Sequence, residues 1–330
     1  MMSFENLKPL ELYLAKEYKN LPESRYISIF LVRTTQSEAI FRTEGSGEGC
    51  NREVVADLKN TPVCRAVISK RKQIAVERRK GREVLRKHGL LFSGNGTVTD
   101  ETVCGLNRNN PCEKCIDCKL YGYAVGAGGA QRSRVLSDDA FSLLPFEMIM
   151  DKKTFNALYE TGTMRDPVSG EASTSINEDE YIIPGAHFLD IEVLKDVTET
   201  EFIYVLGNIL RSKRYGAITS RIGSMTNTVL GIIGSDTELF STLEWVNQTH
   251  AALLKDHNEH PQPLNVVADK AKGSIQSLLP TVCGNTYQAN DDELEKIVSA
   301  VTALFASDND TRQELVTLTN SYPGNEGLAK

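Results

Sequence analysis

Cys104, Cys112, Cys115 and Cys118 fall within fifteen residues in a C-x₇-C-x₂-C-x₂-C pattern. Thiolates are soft ligands, and a C-x₂-C turn brings two sulfurs to one ion without straining the backbone, so the spacing suits a tetrahedral Zn²⁺ at about 2.3 Å from each sulfur. Cys112, Cys115 and Cys118 make two overlapping turns, and Cys104 returns across a loop holding the turn formers Asn107, Asn109, Asn110 and Pro111. An iron–sulfur cluster is the chemical competitor, because C-x₂-C-x₂-C also opens a bacterial ferredoxin signature. That signature continues into a fourth cysteine followed by proline, whereas Lys119 and Leu120 follow Cys118. Unliganded thiols in a reducing compartment are the third reading. Four thiolates leave no position for water or substrate, so the expected zinc is structural and contributes to folding.

Charge is the second chemical signal. The net charge is −7, yet between Arg65 and Lys87 ten Lys and Arg face only Glu77 and Glu83. No acid occurs from Lys119 through Ser137 or from Phe202 through Ser235, while fourteen acids and six Lys or Arg follow from Asp236 onward. Three basic or acid-free stretches would form one polyanion-binding groove if they converge, with an acidic half repelling the polyanion elsewhere. Solvated helix faces are the plainer explanation of any one stretch. The histidines add no metal set: His250, His257 and His260 lie in the acidic half, and His187 alternates on the apolar side of a strand.

The elements that must carry these groups follow from periodicity. Leu7 to Tyr18 has helical spacing, with Leu10, Leu12, Leu14 and Ala15 near one side. Arg25 to Arg33 is a β-branched and aromatic strand, with a short strand near Ile40 and Phe41. Glu44 to Gly49 holds three glycines without a nucleotide-binding spacing. Lys72 to His88 is a basic helix stopped by Gly89, and Phe146 to Met150 resumes as strand. Ala157 to Glu180 is polar and rich in turns, as in a projecting hairpin. Ala186 to Leu194 alternates as a half-buried strand. Thr198 and Glu201 form a capping box, followed by Phe202, Val205, Leu206, Ile209 and Leu210 on one helix face and by a strand from Thr228 to Ile233. Two β-α-β units predict an α+β molecule with a ferredoxin-like (RRM-type) core carrying large insertions. Beyond Asp236, helices are expected around Leu239 to Leu253, Leu294 to Phe305 and Arg312 to Leu318. The N-terminus has no basic leader and no apolar run approaches membrane-spanning length, so a cytoplasmic location without membrane contact is expected.

Three segments, Cys115-Ile-Asp-Cys118-Lys-Leu-Tyr-Gly122, Arg132-Ser-Arg-Val135-Leu-Ser-Asp138-Asp-Ala140 and Tyr215-Gly216-Ala-Ile-Thr-Ser220-Arg221-Ile-Gly223, resemble the CRISPR-associated RAMP superfamily. With the opening YISIFLVR…AIFRTEG and the KRKQ…ERRKGRE helix, the chain looks like the type I-D backbone subunit that coats guide RNA in a Cascade-type effector. The resemblance spans Arg25 to Ile233. Tyr121 replaces the common Phe, and Ile222 stands where many relatives have glycine.

The resemblance implies a palm over 1–235, a fingers insertion over about 60–132 that contains the zinc knuckle at 104–118, a projecting thumb over about 157–181, and a helical appendage over 236–330 packed on the palm. Copies would stack head to tail as a helical filament on guide RNA (crRNA), beside other type I-D subunits. Target DNA or RNA would be read through base pairing, leaving phosphate and shape contacts to the protein. The implied RNA-binding residues are Lys70, Arg71, Lys72, Arg78, Arg79, Lys119, Tyr121, Gly122, Arg132, Ser133, Arg134, Arg211, Lys213, Arg214, Ser220 and Arg221, with Gly126, Gly128 and Gly129 admitting backbone and Met164 and Arg165 on the thumb. Type III relatives cut RNA with an aspartate after the first strand. Between Thr34 and Ala56 this chain has Glu38, Glu44, Glu48 and Glu53, and Asp57 lies past that loop, so no catalytic residue is expected. An RNA-cleaving subunit of type III character and a zinc-containing nucleic-acid-binding regulator are the alternatives; the latter has no helix-turn-helix or C₂H₂ spacing.

Overall fold

The computed structural model describes residues 5–42, 49–94, 103–105, 110–126, 129–217, 223–254 and 262–329. Strand β1 (Tyr26–Thr35) is followed by the hairpin β2 (Arg52–Ala56) and β3 (Pro62–Ile68), then α1 (Lys70–Lys87). Helix α2 (Ile116–Tyr121) leads into the small hairpin β4 (Tyr123–Val125) and β5 (Gly129–Gln131), then β6 (Val135–Ser137), β7 (Ala140–Ser142) and the one-turn helix α3 (Phe146–Ile149). A separate hairpin, β8 (Met150–Asn156) and β9 (Ile176–Ile182), precedes β10 (His187–Lys195), α4 (Glu199–Arg211), β11 (Arg214–Tyr215) and β12 (Gly223–Ser235). The chain ends in α5 (Thr242–Leu253), α6 (Leu264–Leu278), β13 (Thr286–Gln288), α7 (Asp291–Ala306) and α8 (Asp308–Ser321).

One antiparallel sheet organises this α+β molecule in the order β11-β12-β1-β10-β7-β3-β2, with β6 also on β10 and β13 on β12. A register shift at Phe30 and Leu31 leaves Leu230 unopposed, a bulge that bends β12. Both faces of β1 are buried along its whole length because helices cover both. Ile27, Ile29 and Leu31 meet α1, α4, α7 and α8, whereas Phe30 and Val32 meet α5 and α6. The helices beyond Asp236 therefore divide between the two faces. Trp245, fully buried on α5, donates Nε1–H to Ala271 O (3.0 Å) and sets its ring edge-on to Phe30 at 5.1 Å. Among the described residues no helix is long and apolar enough to cross a membrane.

Double coverage corrects the half-buried reading of β10. Its polar residues Asp190 and Glu192 do not face water; they are fully buried beneath α1. Three further expectations change. Residues 5–13 form a 3₁₀ helix, in which i and i+3 eclipse, so Leu7 and Leu10 are buried while Leu12 is 81% exposed. Ile40 and Phe41 form no strand; Ala39 beside them makes a single bridge to Ile182. Residues 146–149 are a helical turn entered from Pro145. Helix α6 carried no clear sequence signal: its N-cap is Pro263, without a side-chain cap, and it runs through Gly273.

The β8–β9 hairpin forms its own two-stranded ladder from Met150↔Ile182 to Asn156↔Ile176. Its base is pinned by Arg42–Asp179 (2.8 Å), Lys153–Glu38 (2.6 Å) and Arg52–Glu180 (3.4 Å). Beyond the ladder residues 157–175 form turns at positive-φ Gly162 and Gly170, and Val168 is 95% exposed. The Glu44 to Glu48 part of the glycine loop lies outside the described residues.

Candidate metal centre and basic face

Three of the knuckle's four sulfurs accept a backbone N–H before any metal is considered. Cys112 N–H donates to Cys104 Sγ (3.4 Å), Cys115 N–H to Cys112 Sγ (3.2 Å), and Cys118 N–H to Cys115 Sγ (3.4 Å). Cys115 is both a turn residue and the N-cap of α2. All four sulfurs are buried and lie within 4.8 Å of one another, the only such cluster among the described residues. A tetrahedral ion at about 2.3 Å from each sulfur sets the sulfurs about 3.8 Å apart; Cys104 and Cys118 stand at 3.5 Å, and Cys104 and Cys115 at 4.0 Å. The donor set and its dimensions therefore fit a structural tetrathiolate ion. The three neighbouring thiols drive the Cys104 thiol well below its usual range, favouring a thiolate there.

The knuckle is fastened by two elements, α1 and the C-terminal tail. Asp117, fully buried in α2, accepts Arg78 Nε at 2.7 Å and Arg82 Nη1 at 2.7 Å, both from α1. From the C-terminal tail, Asn325 Nδ2 donates to Lys114 O (2.7 Å). Arg82 also reaches Cys104, placing Nη1 3.6 Å from Sγ and donating Nη2 to the carbonyl. Arg82 was visible in the sequence only as charge; its partners stand 22 and 35 residues away.

Helix α1 joins the three basic or acid-free stretches. Arg78 Nη2 donates to Gly122 O (2.7 Å) in the second stretch, and Tyr215 in the third donates its hydroxyl to Glu77 Oε1 (2.9 Å). At the N-terminal end of α1 a crevice is lined by Arg42, Asn51, Ser69, Lys72 and Gly216. Lys70 N–H of the first turn donates to Asp139 Oδ1 (2.7 Å). Gly81 allows α1 to lie close on α4, since a Cβ there would stand 2.3 Å from Tyr204 Oη. Beneath α1, fully buried Arg33 reaches Asp190 (2.6 Å), Glu192 (2.6 Å) and Glu77 (2.9 Å), and donates to Tyr215 Oη (3.0 Å) and Asn227 Oδ1 (2.9 Å). Burial, opposed by Arg33, pushes the Asp190 carboxyl up to about 6, and burial beside Glu77 pushes Glu192 well above the carboxylate range. The three acids thus share one cation.

Lys70, Arg71, Arg79, Arg132, Arg165, Lys213 and Arg214 are exposed. Lys72 and Met164 are half-buried. So are Lys119, with Nζ 5.8 Å from the Tyr18 ring, Ser133, bonded to Val135 O (2.8 Å), and Arg211, stacked on Phe305 at 5.3 Å with its pKa lowered by burial. Arg78 is mostly buried against Asp117. Three expected interface residues belong to the interior. Tyr121 is 4% exposed and accepts Asn208 Nδ2 (3.3 Å); a Cβ on Gly122, at φ +76°, would lie 2.3 Å from Gln131 O. Arg134 is 8% exposed and paired with Glu201, which also accepts the Tyr322 hydroxyl (2.8 Å). Local packing explains all three without RNA. Ser220, Arg221 and Gly128, with Asn107, Asn109, His257 and His260, lie outside the described residues.

Two of the carboxylates near the first strand are engaged elsewhere: Glu38 pairs with Lys153, and Asp57 accepts the Lys59 and Thr61 amides (both 2.8 Å) in the β2–β3 turn.

Residues 13–315 match a family model described as Csc2 Crispr. No curated protein matches the chain. Among solved structures the chain is similar to the crystal structure of Thermofilum pendens Csc2, with 18% identity and a TM-score of 0.61 over 97% of this chain and 99% of that one. It is similar at 10% identity and a TM-score of 0.47 to a chain from a CRISPR RNA-guided surveillance complex, covering 85% of this chain and 98% of that one. A chain from a type IV-B CRISPR complex aligns at 15% identity and a TM-score of 0.40, over 61% and 90%.

Proposed function

Because the chain belongs to the Csc2 CRISPR family, whose model spans residues 13–315, we propose that it is a guide-RNA-binding backbone subunit of a Cascade-type effector, of type I-D character and without a catalytic role of its own. The observation that carries this reading is the meeting of the three basic or acid-free stretches at α1, where Lys70, Arg71 and Arg79 are exposed beside Lys213 and Arg214 of the β11 segment. Single-stranded RNA read by base pairing asks a protein for phosphate contacts and shape, which such a surface supplies.

The strand order β12-β1-β10-β7, with α1 and α4 on one face, supports reading the sheet as a ferredoxin-like palm. In the same reading the knuckle is a zinc-bearing fingers region and the β8–β9 hairpin is the thumb. The metal's contribution is to tie the Cys104 segment to the Cys112–Cys118 turns that lead into α2, which Arg78 and Arg82 hold against α1. The engagement of Glu38 and Asp57 supports the non-catalytic assignment. Copies stacking head to tail, a neighbouring target strand and a cytoplasmic setting belong to the same proposal.

Purification without nuclease treatment tests it. The expected product is an extended assembly with an absorbance ratio typical of nucleoprotein, dispersed by ribonuclease and unaffected by deoxyribonuclease. A nucleic-acid-free chain that prefers duplex DNA in competition would favour a DNA-binding regulator instead.

A further inference from the structure

We propose that Arg82 couples the metal knuckle to the basic helix, so that metal occupancy and the seating of α1 depend on each other. The side chain leaves the middle of α1 and is 6% exposed. One guanidinium nitrogen, Nη1, stands 3.6 Å from the Cys104 sulfur and 2.7 Å from Asp117 Oδ2, while Nη2 donates to the Cys104 carbonyl. Asp117 extends the link to Arg78, whose Nη2 holds the Gly122 carbonyl where the knuckle exits.

Four thiolates on a divalent ion carry a net charge of −2, which is costly in a buried site unless a cation stands beside it. Arg82 is placed to do this directly at a ligand sulfur. An N–H···S bond withdraws electron density from the thiolate and fixes its direction, the kind of outer contact that tunes a metal site. Without the metal Cys104 is no longer tied to Cys112, Cys115 and Cys118, so the sulfur and carbonyl that Arg82 holds lose their fixed position. That side of α1 loses a fixed partner, and the helix carrying Lys70, Arg71 and Arg79 is held less firmly. A plain Arg82–Asp117 ion pair indifferent to the metal is the competing account, and spectroscopy separates the two.

The test uses the full chain loaded with cobalt(II). Arg82→Gln should move the thiolate-to-cobalt charge-transfer band to lower energy and weaken cobalt binding about 10- to 100-fold. Arg82→Lys should fall between, and Arg86→Gln, on an exposed position of the same helix, should match the parent. Independently of any variant, stripping the metal from the parent should speed amide exchange at residues 78–87 by about tenfold or more while α5, on the other face of the sheet, is unchanged. A band and affinity in Arg82→Gln equal to the parent overturn the role of Arg82. Unchanged exchange in α1, or an equal rise everywhere, overturns the coupling even if the variants do not fold. Under the RNA-binding reading, on which this last consequence rests, RNA and metal should raise each other's affinity by the same factor. RNA bound equally by loaded and stripped chains overturns the linkage, whereas a chain that binds no RNA in either form overturns that reading and leaves the cobalt result intact.

Discussion

Arg134 and Glu201 stand 67 residues apart, and their pairing decides what the S-R-V segment does. Glu201 closes the capping box of α4, receiving Thr198 N–H at 2.9 Å, and the same carboxylate takes Arg134 Nη1 (2.8 Å) and the Tyr322 hydroxyl. One buried acid thus joins the α4 N-terminus, the segment before β6 and the C-terminal tail. The capping box was legible because it is local, and so were the four cysteines. Arg134 as a structural cation was not, because its partner lies in another element and nothing in the spacing announces it. Arg134→Gln leaves Glu201 without its cation and should cost about 3 kcal/mol of stability, with little change in RNA affinity among chains that remain folded. Denaturant melts and binding curves measured side by side check this; a loss of RNA affinity at unchanged stability would return Arg134 to the interface.

At the scale of elements, hydrophobic period and caps located β1, α1, α4 and β12, but not which faces would be covered. Alternation in β10 was real, yet its polar side met α1 and its apolar side met α5 and α6. The docking of α5 shows the same blindness to distant partners. Fully buried Arg65 on β3 donates to Ser142 O (2.9 Å) and Leu143 O (2.7 Å) and reaches His250 Nδ1 on α5 at 3.3 Å. Accepting that bond requires a neutral ring. Burial first and Arg65 second push the His250 pKa down from its ordinary 6.5 to about 4, with Asp57 opposing them. Between those values the unfolded chain binds the extra proton, so this contribution is complete above about 6.5 and is lost as the pH falls toward 4. The loss should be on the order of 1 to 2 kcal/mol, allowing for residual solvent screening. Unfolding free energies at pH 7 and 4.5 should therefore diverge more in the parent than in His250→Gln. Equal divergence would remove His250 as the titrating group.

For the whole molecule, net charge alone would have argued against a polyanion partner, and distribution mattered more. The basic helix sits at the junction of three chain segments, while five of the fourteen acids from Asp236 onward cluster in the first turns of α7 and α8. The sequence exposed the segments but not their meeting, because that depends on the β12-β1-β10 pairing and on Arg33, Glu77 and Tyr215 closing beneath α1. The measurement that bears most directly on the RNA-binding account is the salt dependence of single-stranded RNA binding by the parent and by a variant carrying Lys70→Gln, Arg71→Gln and Arg79→Gln. Each phosphate contact contributes about 0.7 to the slope of log K against log salt for a single strand, so the variant should bind more weakly with a slope shallower by about 2. A slope and affinity equal to the parent's, in a folded variant, would contradict the account.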